Sequence, residues 1–147
     1  LRTSSAASDV YKRQGLDTNG MLKEHTQIVS GKLSDNANIN VYLGNVYHFT
    51  TQETTTSTPN IRFDGVAMSF NSNVDIGDTV SVTIITTAAA AAYSANLNID
   101  GQSQTVNWVG GSAPSAGGSS GVDIYTYNII KTANQTYTVI GNLTKTS

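Results

Sequence analysis

Cysteine is absent from the 147-residue sequence, proline occurs twice and tryptophan once, and only 12% of the residues are charged. Without cysteine the chain has no disulfide framework and no thiol chemistry. No run of about 18 apolar residues occurs, so we predict no insertion into a membrane. Lysine and arginine are too few and too scattered to follow a phosphate backbone, so nucleic acid is not an expected partner.

The residues that are abundant favour β-structure. Thr, Ser, Asn and Gly dominate the polar positions, whereas Lys, Arg and Glu are scarce. Thr, Val, Ile and Tyr favour strands, and Asn and Gly favour turns. No segment shows the 3.6-residue period of an amphipathic helix. We therefore predict an all-β fold, an antiparallel β-sandwich of jelly-roll type with about eight short strands at spacings of roughly 8–12 residues.

The clearest strand pattern covers residues 79–87, where apolar and polar side chains alternate. Asp100-Gly101 predicts a tight hairpin between strands at 93–99 and 104–109. Gly44-Asn45, between two further strand-like runs, predicts another hairpin of the same kind. Asp-Gly is among the better two-residue hairpin signals.

Three other segments are less regular. Residues 122–131 are apolar or aromatic on both faces, which is typical of a central strand covered on two sides. Residues 88–92 are five alanines, too few for an isolated helix, and we expect an irregular crossing or a bulged edge there. The polar residues 50–58 are compatible with either a loop or an exposed edge. No repeat of solenoid length is present.

The first residues of the chain are a separate matter. Residues 4–14 resemble, without a mismatch, the in-frame translation of a transposase-type sequencing adapter. Segments of this kind are set aside before the fold is considered. We therefore expect residues 1–14 to be an artefactual or disordered N-terminal segment, and residues 15–147 to form a single β-sandwich domain. The domain is expected to be the C-terminal fragment of a longer protein from an environmental (metagenomic) sample.

A search for catalytic patterns identifies no candidate residues. Residues 111–114 (Gly-Ser-Ala-Pro) lack the second glycine of a nucleophile elbow, and Gly31-Lys32 is not followed by the Ser or Thr of a phosphate-binding loop. His25 and His48 lie in different strand-like runs with no neighbouring ligand pattern. We predict no catalytic residue, no cofactor and no metal, and therefore no enzymatic activity. A carboxylate-pair glycosidase ranks last among the hypotheses.

The acidic pair Asp75 and Asp78 leaves two interpretations open. The two carboxylates flank Ile76-Gly77, and with help from backbone carbonyls they would suit a calcium ion. The simpler interpretation, which we favour, is that Asp78 closes a turn before a strand.

Two segments are candidates for contact with a ligand at the surface. Trp108 precedes the glycine- and serine-rich stretch 110–121, and its indole is either a stacking platform for a sugar or a core side chain at the end of a strand. We favour the core, because Trp108 shares strand parity with Val106. The candidate contact residues are Trp108, Gly110, Gly111, Thr54, Thr55 and Thr56.

Most of the chain resembles a known family. The likeness is carried by residues 46–51, 58–61, 77–84, 93–95, 98–101, 108–114, 123–127 and 129–132. The Trp-x-Gly-Gly-x-Ala-Pro stretch followed by a Tyr-x-Tyr strand is its most specific part. These stretches resemble the C-terminal domains of virion structural and tail-fibre-like proteins of marine tailed bacteriophages. The resemblance implies a virion component and transfers no catalytic or ligand-binding residue.

The resulting functional expectation is a structural module of the extracellular phage particle, in a tail fibre or other tail appendage, with adhesion to the host surface. Its partners would be other virion proteins or further copies of itself, with a homotrimer expected by analogy with phage fibres, and a glycan or protein of the host surface. The alternative is a secreted bacterial carbohydrate-binding or adhesin module.

Overall fold

A computed structural model describes residues 23–65 and 68–147, of which 48% lie in strands and 3% in helix. The elements are β1 (Thr26–Val29), β2 (Asn38–Asn40), β3 (Val46–Gln52), β4 (Asn60–Arg62), α1 (Phe70–Asn73), β5 (Thr79–Thr87), β6 (Leu97–Ile99), β7 (Gln102–Gln104), β8 (Val106–Trp108), β9 (Val122–Ala133) and β10 (Thr136–Lys145). They form a six-stranded sheet, β1-β3-β5-β9-β10-β8, and a four-stranded sheet, β2-β4-β6-β7. The all-β sandwich prediction is confirmed, while the expected segment 1–14 lies outside the described residues.

Strand direction differs from the expectation. Among the described strands only β5–β9, β9–β10 and β6–β7 are antiparallel, and the other five pairings are parallel. The first six strands alternate between the sheets, so that β1, β3 and β5 run parallel in one sheet while β2, β4 and β6 run parallel in the other. The chain therefore winds as a short two-sheet coil before β9 and β10 close it. The short strands of the smaller sheet bring the number to ten rather than about eight.

No sequence repeat accompanies this winding, because the connections between its strands differ. The connection from β4 to β5 contains α1 and the connection from β5 to β6 contains the alanine-rich segment 88–92, whereas the earlier connections contain neither. Residues 88–92 form the expected irregular crossing, with a turn in which the Ala92 N–H donates to the Ala89 carbonyl over 2.9 Å.

The two predicted hairpins have opposite outcomes. Asp100 and Gly101 have φ values of 48° and 77° and form the predicted turn, between antiparallel β6 and β7. The predicted second strand, 104–109, is wrong, because the hairpin strand is β7 and residues 106–108 form β8 in the other sheet. Gly44-Asn45 does not form a hairpin, because β2 and β3 lie in different sheets. The chain turns earlier, where the Leu43 N–H donates to the Asn40 carbonyl over 3.0 Å, and Gly44 then passes close to another backbone segment.

The hydrophobic core lies between the inner faces of the sheets. Ile39 and Ile61 of the smaller sheet are fully buried, as is Ile129 of β9. Burying a side chain of this size contributes roughly 1.5–3 kcal/mol. The expectation that β9 is covered on both sides is wrong, because Ile124 and Ile130 on its other face remain partly exposed. The apolar residues on that face reflect a surface rather than a second core.

Two charged side chains fix α1 against the sandwich. The Asp100 carboxylate accepts hydrogen bonds from the N–H groups of Phe70 and Asn71, at 2.9 and 3.0 Å. At the other end, the buried Lys131 Nζ donates to the carbonyls of Asn71 and Val74. A capping box formed by Ser69 and Ser72 completes the helix start. This short segment is therefore held at both ends by the β6–β7 turn and by β9.

Stability should fall at alkaline pH. Burial raises the pKa of Tyr125 to about 12, and desolvation likewise raises the pKa values of Tyr47, Tyr127 and Tyr137. An unfolded tyrosine loses its proton near pH 10, so above about pH 10 the unfolded state binds fewer protons than the folded state and is favoured. The free energy of unfolding, from urea titrations, should decrease between about pH 10 and pH 12, as the tyrosines of the unfolded state ionise.

Two variants separate this effect from general alkaline damage. Tyr125→Phe should make the decrease shallower, because it removes one buried ionisable group. Tyr42→Phe removes a tyrosine that is 62% exposed and should leave the slope as in the wild type. A free energy of unfolding that stays constant up to about pH 11.5 would contradict the prediction.

Candidate functional site

Trp108 combines the two roles that the sequence left open. It ends β8, the edge strand of the larger sheet, and its ring meets the Tyr127 ring edge to face with the centroids 6.0 Å apart. On neighbouring β10 it lies opposite Gly141, where a Cβ would be only 3.1 Å from the indole carbons. Glycine at this position makes room for the ring. Trp108 is half buried, so it packs on the core while part of it remains accessible.

A surface cleft of about 260 Å³ adjoins the indole. Its walls are residues 112–116 on one side and the end of β10, with Leu143 and Lys145, on the other. The cleft is thus small and mixed in character, with one aromatic ring, one cation and several small side chains. An aromatic ring beside polar groups is an arrangement that suits contact with a sugar or with a protein side chain.

Gly110 and Gly111 shape the cleft without lining it. Their φ values of 89° and 82° are in the left-handed region, and the Gly111 N–H donates to the Trp108 carbonyl over 2.9 Å. This turn directs residues 112–116 back beside the indole. Glycine is favoured at both positions because other residues rarely adopt this conformation.

The far end of the stretch 110–121 is fixed by Asp123. This side chain is fully buried, and both carboxylate oxygens accept from the Gly118 N–H at 2.9 Å. Gly117 packs so tightly that a Cβ there would collide with the carbonyl oxygens of Ala89 and Ala92 and with the Asp123 carboxylate. The loop is therefore anchored at both ends, and no pattern in the sequence predicted that Asp123 would anchor it.

Thr54, Thr55 and Thr56 lie elsewhere. All three are exposed, and Thr54 Oγ1 accepts a hydrogen bond from Lys32 Nζ over 3.3 Å. The preceding Glu53 is buried and accepts from the Leu33 N–H over 2.6 Å, which fixes this loop too. The threonines do not line the Trp108 cleft. The structure thus separates the two groups of predicted contact residues.

The acidic pair behaves as a turn. The Asp75 N–H donates to an Asp78 carboxylate oxygen over 3.1 Å, and the Asp78 N–H donates to the Asp75 carbonyl over 3.0 Å. Within residues 23–65 and 68–147, no group of three or more His, Asp or Glu side chains is placed to hold a metal ion. His48 lies on the face of the larger sheet that points away from the smaller sheet, and His25 is exposed before β1. In the same ranges, no helix is both long and apolar enough to span a membrane.

A second depression, which we call the groove, was not found from the sequence. It has a volume of about 600 Å³ and is lined by parts of α1, of the β6–β7 hairpin and of the β9–β10 turn, including Asn71, Asp100, Gln104, Gln135 and Tyr137. These residues are far apart in the chain, and each alone looks like an ordinary turn or strand residue. The only signal in the sequence was the Asp100-Gly101 turn.

The face of the larger sheet that points away from the smaller sheet, which we call the outer face, has an unusual composition. The strand registers place on it a set of side chains that contains no Asp, Glu, Lys or Arg and of which none is buried: Thr26, Ile28, Val46, His48, Thr79, Ser81, Thr83, Ile85, Thr87, Asn107, Val122, Ile124, Thr126, Asn128, Ile130, Thr138, Ile140, Asn142 and Thr144. No other layer of the described chain covers this face.

The packing at Gly117 leads to a prediction. Gly117→Ala should lower the free energy of unfolding by about 2 kcal/mol or more, because backbone carbonyls cannot move aside for the new methyl group. Gly31→Ala is the matched control, since its Cβ would meet only Val29 Cγ1 at 3.8 Å. The control should change stability by less than about 1 kcal/mol. Equal effects in urea titrations of the two variants would contradict this account of the loop.

Comparison with family models, with curated proteins and with solved structures finds no match to this chain. Its function is therefore inferred from its own surfaces.

Proposed function

We propose that this domain is a structural module of a tailed-phage particle, in a tail fibre or other appendage, that assembles with further copies of itself through the outer face. The observation that carries the proposal is the absence of charged side chains from that face. The resemblance to virion proteins described above supports the setting. Phage fibres are commonly homotrimers, and this analogy is a weaker argument than the face itself.

Composition favours the outer face as a protein contact. Charged residues are depleted at the centre of interfaces, because each loses hydration when a partner covers it. Ile28 is 72% exposed and Ile140 is 38% exposed, so apolar area is available for burial. The intervening threonine and asparagine side chains can both donate and accept hydrogen bonds. A second copy presents the same uncharged residues, so like charges are not brought together although the chain has a net charge of −2.

The size of the face is close to what an assembly needs. Six strands about 4.8 Å apart, each up to about 30 Å long, give at most roughly 700 Å². An interface of standard size takes about 600–1,000 Å² from each partner. Two copies would bury the face against each other, and three copies would bury it around a common axis. The area is thus sufficient for self-association, provided that nearly all of the face is used.

Charge placed on the outer face should break the assembly. We expect the full chain to have the mass of two or more copies in light scattering, and Ile28→Lys combined with Ile140→Lys to have the mass of one. Each of the two substitutions adds a charge that an interface would have to desolvate. Ile76→Lys is the matched control, because Ile76 is 66% exposed in a turn outside the strands. A wild-type monomer at high protein concentration, or an equal loss of assembly in the control, would refute self-association through this face.

A second candidate function is a secreted bacterial carbohydrate-binding or adhesin module. The observation that favours it is the Trp108 cleft, where a partly exposed indole adjoins small polar residues and Lys145. The same cleft would serve host adhesion in a phage appendage. Cleft chemistry therefore does not distinguish the two candidates, whereas the genetic setting does.

Sequencing of a longer stretch of DNA around this reading frame tests the phage setting directly. Capsid, portal or tail genes are expected beside it if the domain belongs to a virion. Genes for polysaccharide degradation, or a signal peptide at the start of the same reading frame, would contradict the phage proposal and support the bacterial one.

A further inference from the structure

The groove has the features of a site built for a ligand. Three separate parts of the chain converge on it: α1, the β6–β7 hairpin and the β9–β10 turn. Its volume of about 600 Å³ is more than twice that of the Trp108 cleft and lies within the range of small-molecule sites. Polar side chains dominate its lining, and Tyr137 supplies an aromatic ring. The depression is therefore large enough for one or two sugar residues.

Backbone strain is concentrated at this groove. Among the described residues, Asp100 and Gln135 are the two that adopt positive φ without being glycine, at 48° and 54°, and both line it. Asp100 is explained by its turn, in which aspartate is common. Gln135 lies in the β9–β10 turn beside the register shift between Thr136 and Tyr137, and glycine or asparagine would occupy its left-handed conformation at lower cost. Strained residues of this kind are enriched at functional sites, so a glutamine kept in this conformation points to a use for its side chain.

The groove is held in shape by hydrogen bonds centred on Asn71. Asn71 Oδ1 accepts from the Gln135 N–H over 2.9 Å and from the Tyr137 hydroxyl over 3.2 Å, while its Nδ2 donates to Asn134 Oδ1 over 2.9 Å. The Tyr137 ring also packs on Phe70, with the centroids 5.7 Å apart. The β9–β10 turn and the tyrosine are thus fixed to α1 before any ligand arrives. A preformed site of this kind loses little conformational entropy on binding.

The available polar groups define the class of ligand. The amides of Gln102, Gln104 and Gln135 can each donate and accept, as sugar hydroxyls do. Among the described residues of the lining, Asp100 is the one charged side chain, and its carboxylate is occupied by the two N–H groups of α1. Within residues 23–65 and 68–147 no lysine or arginine lines the groove, so those residues offer an anionic ligand no counter-charge. We propose that the groove binds a neutral saccharide, with the amides bonded to its hydroxyls and Tyr137 against its C–H face.

A peptide strand fits the groove less well. β7 is an edge strand, and such edges can pair with an added strand. Here the edge has only three residues, and the Gln104 side chain donates to the Gln102 carbonyl over 3.1 Å. A strand added at this edge would have to displace that hydrogen bond. The saccharide proposal is independent of the outer face, because the groove and the outer face share no residue.

Glycan binding by the full chain tests the proposal. The probes are an array of neutral oligosaccharides containing hexoses and N-acetylhexosamines, and a second array of acidic glycans. We expect binding to one or more neutral glycans, and a Kd, measured by calorimetry with the best of them, that rises at least tenfold in Gln104→Ala combined with Gln135→Gly. Glycine adopts a positive φ without strain, so the Gln135→Gly substitution should not lower the midpoint of thermal unfolding.

The control is Ser112→Ala, which removes a hydroxyl group from the Trp108 cleft, away from the groove, and should leave the Kd unchanged. Binding of acidic glycans alone, binding of no glycan, or a loss of affinity in the control but not in the groove variant would each overturn the proposal. Light scattering of the same proteins keeps this test separate from the assembly, since the groove variants should retain the mass of the wild type.

Discussion

Parallel pairing is the constraint on which the rest of this fold depends. Two neighbouring parallel strands cannot be joined by a tight turn, because the chain must first return to the same end of the sheet. Here the return paths from β1 to β3 and from β3 to β5 pass through β2 and β4 of the other sheet. Each crossover therefore covers the inner face that the parallel strands expose, and no amphipathic helix is needed to do so. The same crossovers therefore form the second layer and enclose the core between the two sheets.

Buried charged side chains then hold the loops and α1, which connect the strands, in place. Asp123, Glu53 and Lys131 are all buried, and the contacts described above pair each with backbone groups of a loop or of α1 rather than with an opposite charge. A buried charge is tolerated only when hydrogen bonds replace its hydration, so the folded state depends on these hydrogen bonds. The two ion pairs among the described residues, Lys32–Asp35 and Arg62–Asp64, lie nearer the surface. Loops rich in glycine and serine are consequently held in place by a few acceptors and donors.

The sequence predicted what depends on local pattern and failed where distant pairing decides. Residues 79–87 form β5 with the predicted bounds, and Asp100-Gly101 forms its hairpin, because alternation and turn chemistry act over a few residues. Gly44-Asn45 carries the same kind of turn signal, yet the chain changes sheets there, and no local pattern records the parallel partner of a strand. Strand parity correctly placed Trp108 towards the core. The sequence did not reveal the groove because three separated segments contribute to it, and Gln135 has no distinguishing neighbours in the sequence.

The registers also separate the surfaces for which functions are proposed. Lys145, beside the Trp108 cleft, pairs with Asp123 at one end of the larger sheet, whereas the β9–β10 turn, beside the groove, lies at the opposite end. The outer face points away from the smaller sheet and thus away from the groove, which β7 of that sheet borders. Copies packed through the outer face would therefore leave the groove open to solvent. An assembly of this kind would present several identical grooves at once, so weak binding to each saccharide would add up to firm attachment at a surface that repeats the same sugar.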